Sequence, residues 1–358
     1  AGSVVTFESG EDSTTVLSGF TITNGAGILI GGSSPTLQNL NITNNWSATA
    51  GGGIQIKKGN IYNGYASSSS QIKNTIISYN YTQMDGGAVS ISEFHTLLFQ
   101  NVLIYGNSSQ NGSHGFYSYE SNSMLINITI ANNSAGSGLM IGQADTLTLI
   151  NSIISNNGIS INDASQLLIS YSNIQGGWEG EGNIDADPLF VDVANDDYHL
   201  ADWSPCIGAG QDGVDMGAYE NALGAPAEHI AITNDSLVVL EDSSSTIDLL
   251  DNDLILNITS YTLAIVDSAD NGTIALVGDS ALTYTPNANF FGYDTVSYRV
   301  FSSELVDTGM VLITVTTIND APIASDASFS TDEDVAVEIT LTATDVDGDD
   351  LTYAVVDS

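Results

Sequence analysis

The sequence has very few basic residues and a single cysteine. Four Lys and Arg stand against 43 Asp and Glu in 358 residues, which gives a formal net charge of −39. Nucleic acids and anionic membrane surfaces repel such a chain, so we expect no nucleic-acid partner, anionic membrane surfaces are poor candidate partners, and cations are favoured. The single cysteine, Cys206, excludes an internal disulfide framework, and we expect it to be a small packed side chain rather than a nucleophile.

The sequence also lacks a long apolar run and a helical period. No apolar run approaches the roughly 18 residues that span a bilayer, so no transmembrane segment is expected. No signal peptide opens the chain, which begins without Met and stops at Ser358 in what reads as the middle of a domain. We therefore expect a fragment of a secreted or surface protein whose sorting signals lie outside this sequence.

The first half carries a short repeat in which an Ile is followed three residues later by Asn or Gly. The seven central residues are Ile22, Ile42, Ile77, Ile104, Ile130, Ile154 and Ile174. Each repeat also contains a second strand, often opened by Gly, and a third apolar stretch. Three short strands in each repeat leave too little chain for βαβ units. The pattern predicts a winding coil whose rungs stack about 4.8 Å apart, with the Ile side chains inside and the Asn amides stacked at a corner.

This repeat resembles the right-handed parallel β-helix proteins of the pectin-lyase-like superfamily. Residues 183–220 resemble the choice-of-anchor ending of such β-helices in secreted bacterial proteins, with Asp187-Pro188-Leu189-Phe190-Val191 and Asp215-Met216-Gly217-Ala218-Tyr219-Glu220 as matching pieces. We expect this segment to cap the open apolar end of the coil with four side chains, Trp203, Leu189, Phe190 and Tyr198. His199 is then a structural residue.

The second half is strongly acidic, since only nine of the 43 acidic residues precede residue 181. Alternating apolar segments separated by Asn, Asp and Gly predict a β-sandwich of about 95 residues. The stretches YTPNANFFGYDTVSYRV and VLITVTTINDAPIA resemble the tandem cadherin-like or Ig-like repeats of bacterial surface proteins. The predicted fold is all-β: a parallel β-helix at 1–182, its ending at 183–224, a sandwich at 225–319 and a truncated second module at 320–358.

Acidic clusters near the module junction predict a calcium site. Alternating carboxylates in Asp345-Val346-Asp347-Gly348-Asp349 suit a hard cation with six to eight oxygen ligands. The proposed ligands are Asn319, Asp320, Glu333, Asp345, Asp347 and Asp349. The sequence departs from an EF-hand loop, because Gly348 is fourth rather than sixth in the run. Solvated surface acids are the alternative, and Glu241, Asp242, Asp251 and Asp253 form a weaker set.

One outer face of the coil offers aromatic and amide groups suited to carbohydrate. Aligning the rungs on Ile56, Ile91, Tyr117, Ile141 and Ile161 places Lys58, Glu93, Tyr119, Gln143 and Asp163 in one surface column. The predicted sugar-binding residues are Gln55, Lys58, Glu93, Phe116, Tyr119, Gln143 and Asp163. The alternative is that the aromatic rings merely cover adjacent rungs. Lys58 and Glu93 are expected to form an exposed ion pair of little energetic weight.

Catalysis is less favoured, although many proteins with the resembled fold cleave polysaccharides. The coil contains no arginine for a lyase, and Glu93 and Asp163 lie three rungs apart, too far for the carboxyl pair of a hydrolase. Asp85 approaching Glu93 is the remaining arrangement. We therefore expect a non-catalytic extracellular or cell-surface protein that binds polysaccharide or a cell-surface glycan or protein, with calcium-stiffened modules as a stalk. A polysaccharide lyase or hydrolase and a purely structural spacer remain the alternatives.

Overall fold

The computed structural model describes residues 2–59, 68–93, 95–110, 113–134, 136–143, 145–162 and 164–356, with the backbone alone at 113 and 114. The predicted all-β fold is confirmed: parallel stacked strands are followed by mainly antiparallel sheets. The chain divides into a first unit, Ala1–Ala227, and a second unit, Glu228–Ser358. The described residues include no helix long and apolar enough to cross a membrane.

The first unit is a parallel β-helix with three sheets, which we number 1 to 3. Sheet 1 contains Val5–Phe7, Ile28–Gly31, Ile54–Lys57, Val89–Ser92, Ser113–Tyr119, Ser137–Ile141 and Gly158–Ile161. Sheet 2 contains Val16–Ser18, Thr21–Ile22, Thr36–Gln38, Asn41–Thr43, Gln71–Ser78, Thr96–Tyr105, Asn122–Ala131, Thr146–Ile150, Ile153–Ser155, Gln166–Ser170 and Asn173–Ile174. Sheet 3 contains Trp46–Ser47, Tyr81–Thr82 and Ser108–Ser109.

The seven central isoleucines form a single column, as the repeat predicted. Each pairs in register with the next, from Ile22 with Ile42 to Ile154 with Ile174. All seven are buried in the core of the coil. Burying branched aliphatic side chains along this column supplies the main driving force for stacking, at about 1.5–3 kcal/mol for each residue.

The stacked asparagines form a buried hydrogen-bonded ladder. Its members are Asn45, Asn80, Asn107, Asn133 and Asn157. The Oδ1 of Asn80 accepts from both the backbone N–H and the amide of Asn45, and the same pair of contacts recurs on the following rungs. The residue before the ladder takes the left-handed conformation that Asn and Gly tolerate, as at Asn44 and Gly106. Backbone and side-chain polar groups are therefore satisfied inside the corner.

The ending of the β-helix lies in a different place from the one we predicted. A short hairpin, Phe190–Asp192 with Asp197–Leu200, and two 3₁₀ turns, Val193–Asn195 and Gln211–Gly213, lead through this segment. Tyr198 packs on Leu103 and Ala131 on the outer flank of sheet 2. Cys206, Ile207 and Met216 similarly pack around Ile153. The segment therefore covers the side of the coil because those outward residues are apolar, and the predicted placement of Phe190 and Tyr198 over the open end of the coil is wrong.

The second unit contains an Ig-like sandwich. One sheet contains Asp235–Leu240, Val306–Thr316, Gly292–Phe301 and Thr262–Asp267, and the facing sheet contains Ser245–Asp248, Ala281–Pro286 and Gly272–Val277. Two smaller pairs are His229–Ala231 with Leu254–Leu256, and Ile323–Ala324 with Ala343–Thr344. Leu282, Val296 and Ile313 are fully buried between the sheets, as their alternation with polar residues requires.

Candidate functional site

A groove of about 280 Å³ lies on the outer face of sheet 1. Its lining comprises Tyr117, Tyr119, Met140, Ile141, Gly142, Gln143, Ser160, Ile161 and Asn162. Strand Ser113–Tyr119 presents Tyr117 and Tyr119 outward, since the residues between and before them face the core. Aromatic rings beside the amide groups of Gln143 and Asn162 can contact the apolar faces of a sugar and bond its hydroxyls.

The position of the Tyr119 ring depends on a glycine in the next rung. A Cβ atom added at Gly142 would lie 2.8 Å from Cδ2 of Tyr119. Such a contact is too short, so the ring would have to move. Gly142 thus leaves the space in which Tyr119 covers the groove.

The rim of the groove carries a charged corner. Nζ of Lys58 lies 3.9 Å from Oε2 of Glu93, so the predicted ion pair forms. Ser92 pairs with Tyr119, which places Glu120, rather than Tyr119, in register with Glu93 on the next rung. The carboxylate of Glu120, more than that of Glu93, raises the pKa of the Tyr119 hydroxyl. Two carboxylates therefore border the groove, and the alignment on Tyr117 was wrong by one residue.

The other residues predicted for this face are distributed differently. Phe116 is fully buried and packs edge-on against Phe99, with ring centroids 5.0 Å apart, so its predicted outward orientation is wrong. Gln55 pairs with Ser90 on sheet 1, outside the lining of the groove. Asp163 falls outside the described residues.

Cys206 and His199, which were also considered in the sequence, make packing and hydrogen-bond contacts. Cys206 is buried, and burial raises its pKa to about 11, as expected for a packed thiol. The His199 ring stacks on Tyr219 with centroids 4.1 Å apart, and its Nδ1 lies 2.7 Å from Oδ1 of Asp197. His95 is also buried, and its Nδ1 accepts the backbone N–H of Ser68.

The second unit brings together three carboxylates. One oxygen each from Glu241, Asp320 and Asp347 lies within 4.8 Å of the others. Glu241 directly follows strand Asp235–Leu240, and its Oε1 accepts the N–H of Ile318 at 2.8 Å. Oδ2 of Asp347 accepts the N–H of Asp320 at 2.6 Å. The strand end and the segment after the sandwich therefore converge on one acidic cluster.

The cluster is electrostatically uncompensated. Burial raises the pKa of Asp320, and so do the charges of Asp242, Asp347, Glu241 and Asp345. Among the described residues, Oδ2 of Asp320 has no hydrogen-bond partner. Arg299, the only Lys or Arg of the second unit's sequence, instead lies over the Phe301 ring at 4.8 Å. An all-oxygen, anionic donor set of this kind fits a hard divalent cation.

The structure unites parts of the two acidic sets that the sequence separated. Asp320 and Asp347 belong to the predicted ligands, whereas Glu241 belongs to the weaker set. Asp345 lies beside them and accepts the N–H groups of Asp347 and Asp349. The Asn319 amide donates to the carbonyl of Asp320. Glu333 is exposed and lies outside the cluster.

The repeat explains why Glu241 occupies the place predicted for Glu333. Each glutamate is followed by an aspartate in the left-handed conformation, Asp242 and Asp334 respectively. Glu333 is therefore the counterpart of Glu241 in the next module. Glu241 contacts the segment that follows its own sandwich, through the N–H of Ile318, whereas Glu333 lies outside the cluster.

Comparisons with known proteins agree with the two-part architecture. Residues 64–180 match the family model of the right-handed β-helix region, and residues 225–314 and 319–358 match the bacterial Ig domain. A search of curated proteins found no match. One similar solved structure is an endo-fucoidan hydrolase of glycoside hydrolase family 107, at 16% identity and a TM-score of 0.21. That alignment covers 25% of this chain and 14% of the hydrolase, and it carries no argument about function.

Proposed function

We propose that this is an extracellular or cell-surface protein that binds carbohydrate through the sheet 1 groove. The observation that carries the proposal is the placement of Tyr117 and Tyr119 beside the amides of Gln143 and Asn162 in one groove. The carboxylates of Glu93 and Glu120 at the rim favour a neutral or amino-sugar glycan over a uronate polymer, because like charges repel. Adhesion to a glycan-bearing surface is the corresponding role.

A glycan array probed with the full chain tests this proposal. Tyr119→Ala should weaken binding to the selected glycan at least tenfold, since aromatic contact supplies much of the free energy of sugar binding. Gly142→Ala should weaken it too by displacing the Tyr119 ring. Tyr81→Ala, which removes a tyrosine from sheet 3, is the matched control. Binding that is equal in all four proteins would exclude this groove.

Measuring reducing ends released from the glycan that the array selects separates binding from catalysis. Glu93 and Glu120 lie on adjacent rungs, so their backbones are about 4.8 Å apart. A hydrolase with this pair would release reducing ends from the bound glycan, and Glu120→Gln would abolish the release. We expect binding without turnover. If neither binding nor turnover is detected, the remaining alternative is a structural spacer.

We further propose that the acidic cluster binds calcium and stiffens the second unit. The supporting observation is the convergence of Glu241, Asp320 and Asp347 without a basic partner among the described residues. Calcium would be held by these carboxylates and would neutralise their mutual repulsion. The second unit would then act as an ion-dependent stalk for the β-helix.

Thermal unfolding of the full chain with calcium and then with a chelator tests the site. Calcium at 100 times its dissociation constant should stabilise the second unit by about 2.7 kcal/mol. Glu241→Gln should remove most of this gain, whereas Glu333→Gln should retain it because Glu333 lies outside the cluster. An unchanged midpoint in the unsubstituted protein, or an equal loss in both variants, would contradict the proposed site.

A further inference from the structure

One corner of the β-helix carries titratable side chains in place of the amides of the Asn ladder. Along this corner, backbone N–H groups donate to a side chain of the next rung. Ser68 donates to Nδ1 of His95 at 2.8 Å, and His95 donates to Oγ of Ser121 at 3.5 Å. Ser121 then donates to Oδ1 of Asp145 at 3.2 Å, and Asp145 donates to Oγ of Ser165 at 3.1 Å. His95 is therefore one acceptor in a continuous ladder.

The contact with Ser68 fixes the protonation state of the His95 ring. A backbone N–H can only donate, so Nδ1 must keep its lone pair, and the ring is neutral with its hydrogen on Nε2. The N–H of Thr96 donates to the carbonyl of Ser68 at 3.0 Å. Both backbone polar groups of Ser68 are thus held by two consecutive residues of the next rung.

This contact is closed to solvent on both sides. His95 is 1% exposed, and Ser68 is fully buried. A protonated imidazole carries a hydrogen on each nitrogen, so its Nδ1–H would face the Ser68 N–H and two donors would meet without an acceptor. Buried donors without an acceptor are costly, so protonation of His95 requires the two residues to separate.

The charged groups around the ring come from its own rung and from the two neighbouring ones. Glu93 lies two residues before His95 and pairs with Lys58 on the preceding rung. Glu120 precedes the corner on the following rung, and Asp145 occupies the corner one rung beyond it. Burial lowers the pKa of His95, and the opposing effects of the Ser92 carbonyl and the Glu93 charge are smaller.

We propose that His95 is a pH-sensitive contact, whose protonation in mild acid releases Ser68 and opens the corner between these two rungs. Asn would hold the same N–H without titrating, as Asn107 does for Asn80 in the Asn ladder. The imidazole therefore adds a response to acid that the ladder itself does not need. Asp145 lacks this response, because a protonated carboxyl keeps an acceptor oxygen. The inference stands without the proposed function.

NMR of the full chain with ¹⁵N-labelled histidine tests the protonation state. The ring signals are assigned by replacing each of the four histidines with Asn in turn. His95 should show the tautomer with hydrogen on Nε2 and should take up a proton only below the ordinary histidine value of about 6.5. A hydrogen on Nδ1 at neutral pH, or proton uptake at or above that value, would overturn the proposal.

Urea unfolding followed by tryptophan fluorescence tests the effect on stability. The folded ring binds a proton less readily than the unfolded one, so stability is lost as the pH falls below about 6.5. Relative to His95→Asn, which keeps an acceptor for Ser68, the unfolding constant of the unsubstituted protein should rise by up to about tenfold between pH 7.5 and 5.5.

His229→Asn, which replaces a histidine of the second unit, is the control and should keep the pH dependence of the unsubstituted protein. Parallel curves for the unsubstituted protein and His95→Asn would show that the contact does not respond to acid. If His95→Asn does not fold, the other three variants assign the His95 signals by elimination, and the NMR titration decides.

Discussion

The two units satisfy their buried polar groups with different chemistry. In the β-helix, neutral Asn amides and Ser hydroxyls accept backbone N–H groups from one rung to the next. In the sandwich, carboxylates do the same work: Asp294 accepts the N–H groups of Asp270, Asn271 and Thr295, and also the Tyr284 hydroxyl. Amide ladders carry no charge, so we expect the amide ladder contacts of the first unit to respond weakly to pH and ions and the carboxylate contacts of the second unit strongly.

The largest expected effect is on the ladder of the β-helix. Asn107→Leu removes the acceptor for Asn80 and the donor to Ile77 and Asn133, and should cost about 3–5 kcal/mol through unpartnered buried groups. Trp46, Trp178 and Trp203 all lie in the first unit, so tryptophan fluorescence in urea follows its unfolding alone. Asn41→Leu, at an exposed strand position, is the control and should change stability by less than about 0.5 kcal/mol. Similar losses in the two variants would contradict the role of the ladder.

A smaller loss of stability is expected when Asp294 is replaced, since its carboxylate accepts hydrogen bonds from the sandwich loops. Asp294→Ala should destabilise the second unit by about 3 kcal/mol, because four donors lose their acceptor. Asp294→Asn keeps one acceptor oxygen and should cost about half as much. Hydrogen exchange measured by mass spectrometry on peptides from 228–356 gives the change, while peptides from the first unit should be unaffected. Equal exchange in both variants and the unsubstituted protein would show that the loops hold without this carboxylate.

The smallest expected effect is the pH response of the second unit without calcium. Burial raises the pKa values of Asp235, Asp253 and Asp320, so stability rises as the pH falls from neutral towards these raised pKa values, because protonation removes the repulsion between the carboxylates. For Asp294, burial acts to raise the pKa, but its hydrogen bonds lower the pKa by more. Its contribution is therefore present above the unfolded pKa and lost as the pH falls through the folded value.

The Asp320→Asn variant isolates one part of that pH response. It should flatten the rise in stability as the pH falls from neutral into the acidic range, as should saturating calcium in the unsubstituted protein. Thermal midpoints recorded over this range supply the measurement. If the second unit is equally stable at every pH in this range, the predicted difference between amide contacts and carboxylate contacts is wrong.

The column of isoleucines could be predicted because it repeats one physical requirement on every rung. The alignment of the sheet 1 rungs was wrong because Ser118 is a polar residue at an inward position. Its neighbour Tyr117 was therefore taken for the core residue of that rung. The one-residue error hid Glu120 from the predicted surface column. Register errors of this kind exchange the inner and outer faces of a strand, which is why Phe116 was also placed outward.

The acidic cluster could be predicted only in part, because its residues are distant in sequence. Asp320 and Asp347 were recognised from the density of acids near the junction, but Glu241 lies 79 residues before Asp320. Its approach depends on the parallel pairing of Asp235–Leu240 with Val306–Thr316, which local patterns do not reveal. The covering of Leu103 and Ile153 was missed similarly, although adjacent aliphatic residues in those strands signal that both faces are buried.

The corner ladders have a direction along the chain. Each backbone N–H is accepted by a side chain of the following rung, as Asn107 and Asn133 show, and the N–H of Ser172 is accepted by Asn183 in the final segment. During synthesis from the N-terminus, a newly wound turn therefore stays incomplete until its successor arrives. Ordering would travel down the nascent coil one turn behind elongation, and Asn183 supplies the final acceptor of the corner that contains Ser152 and Ser172.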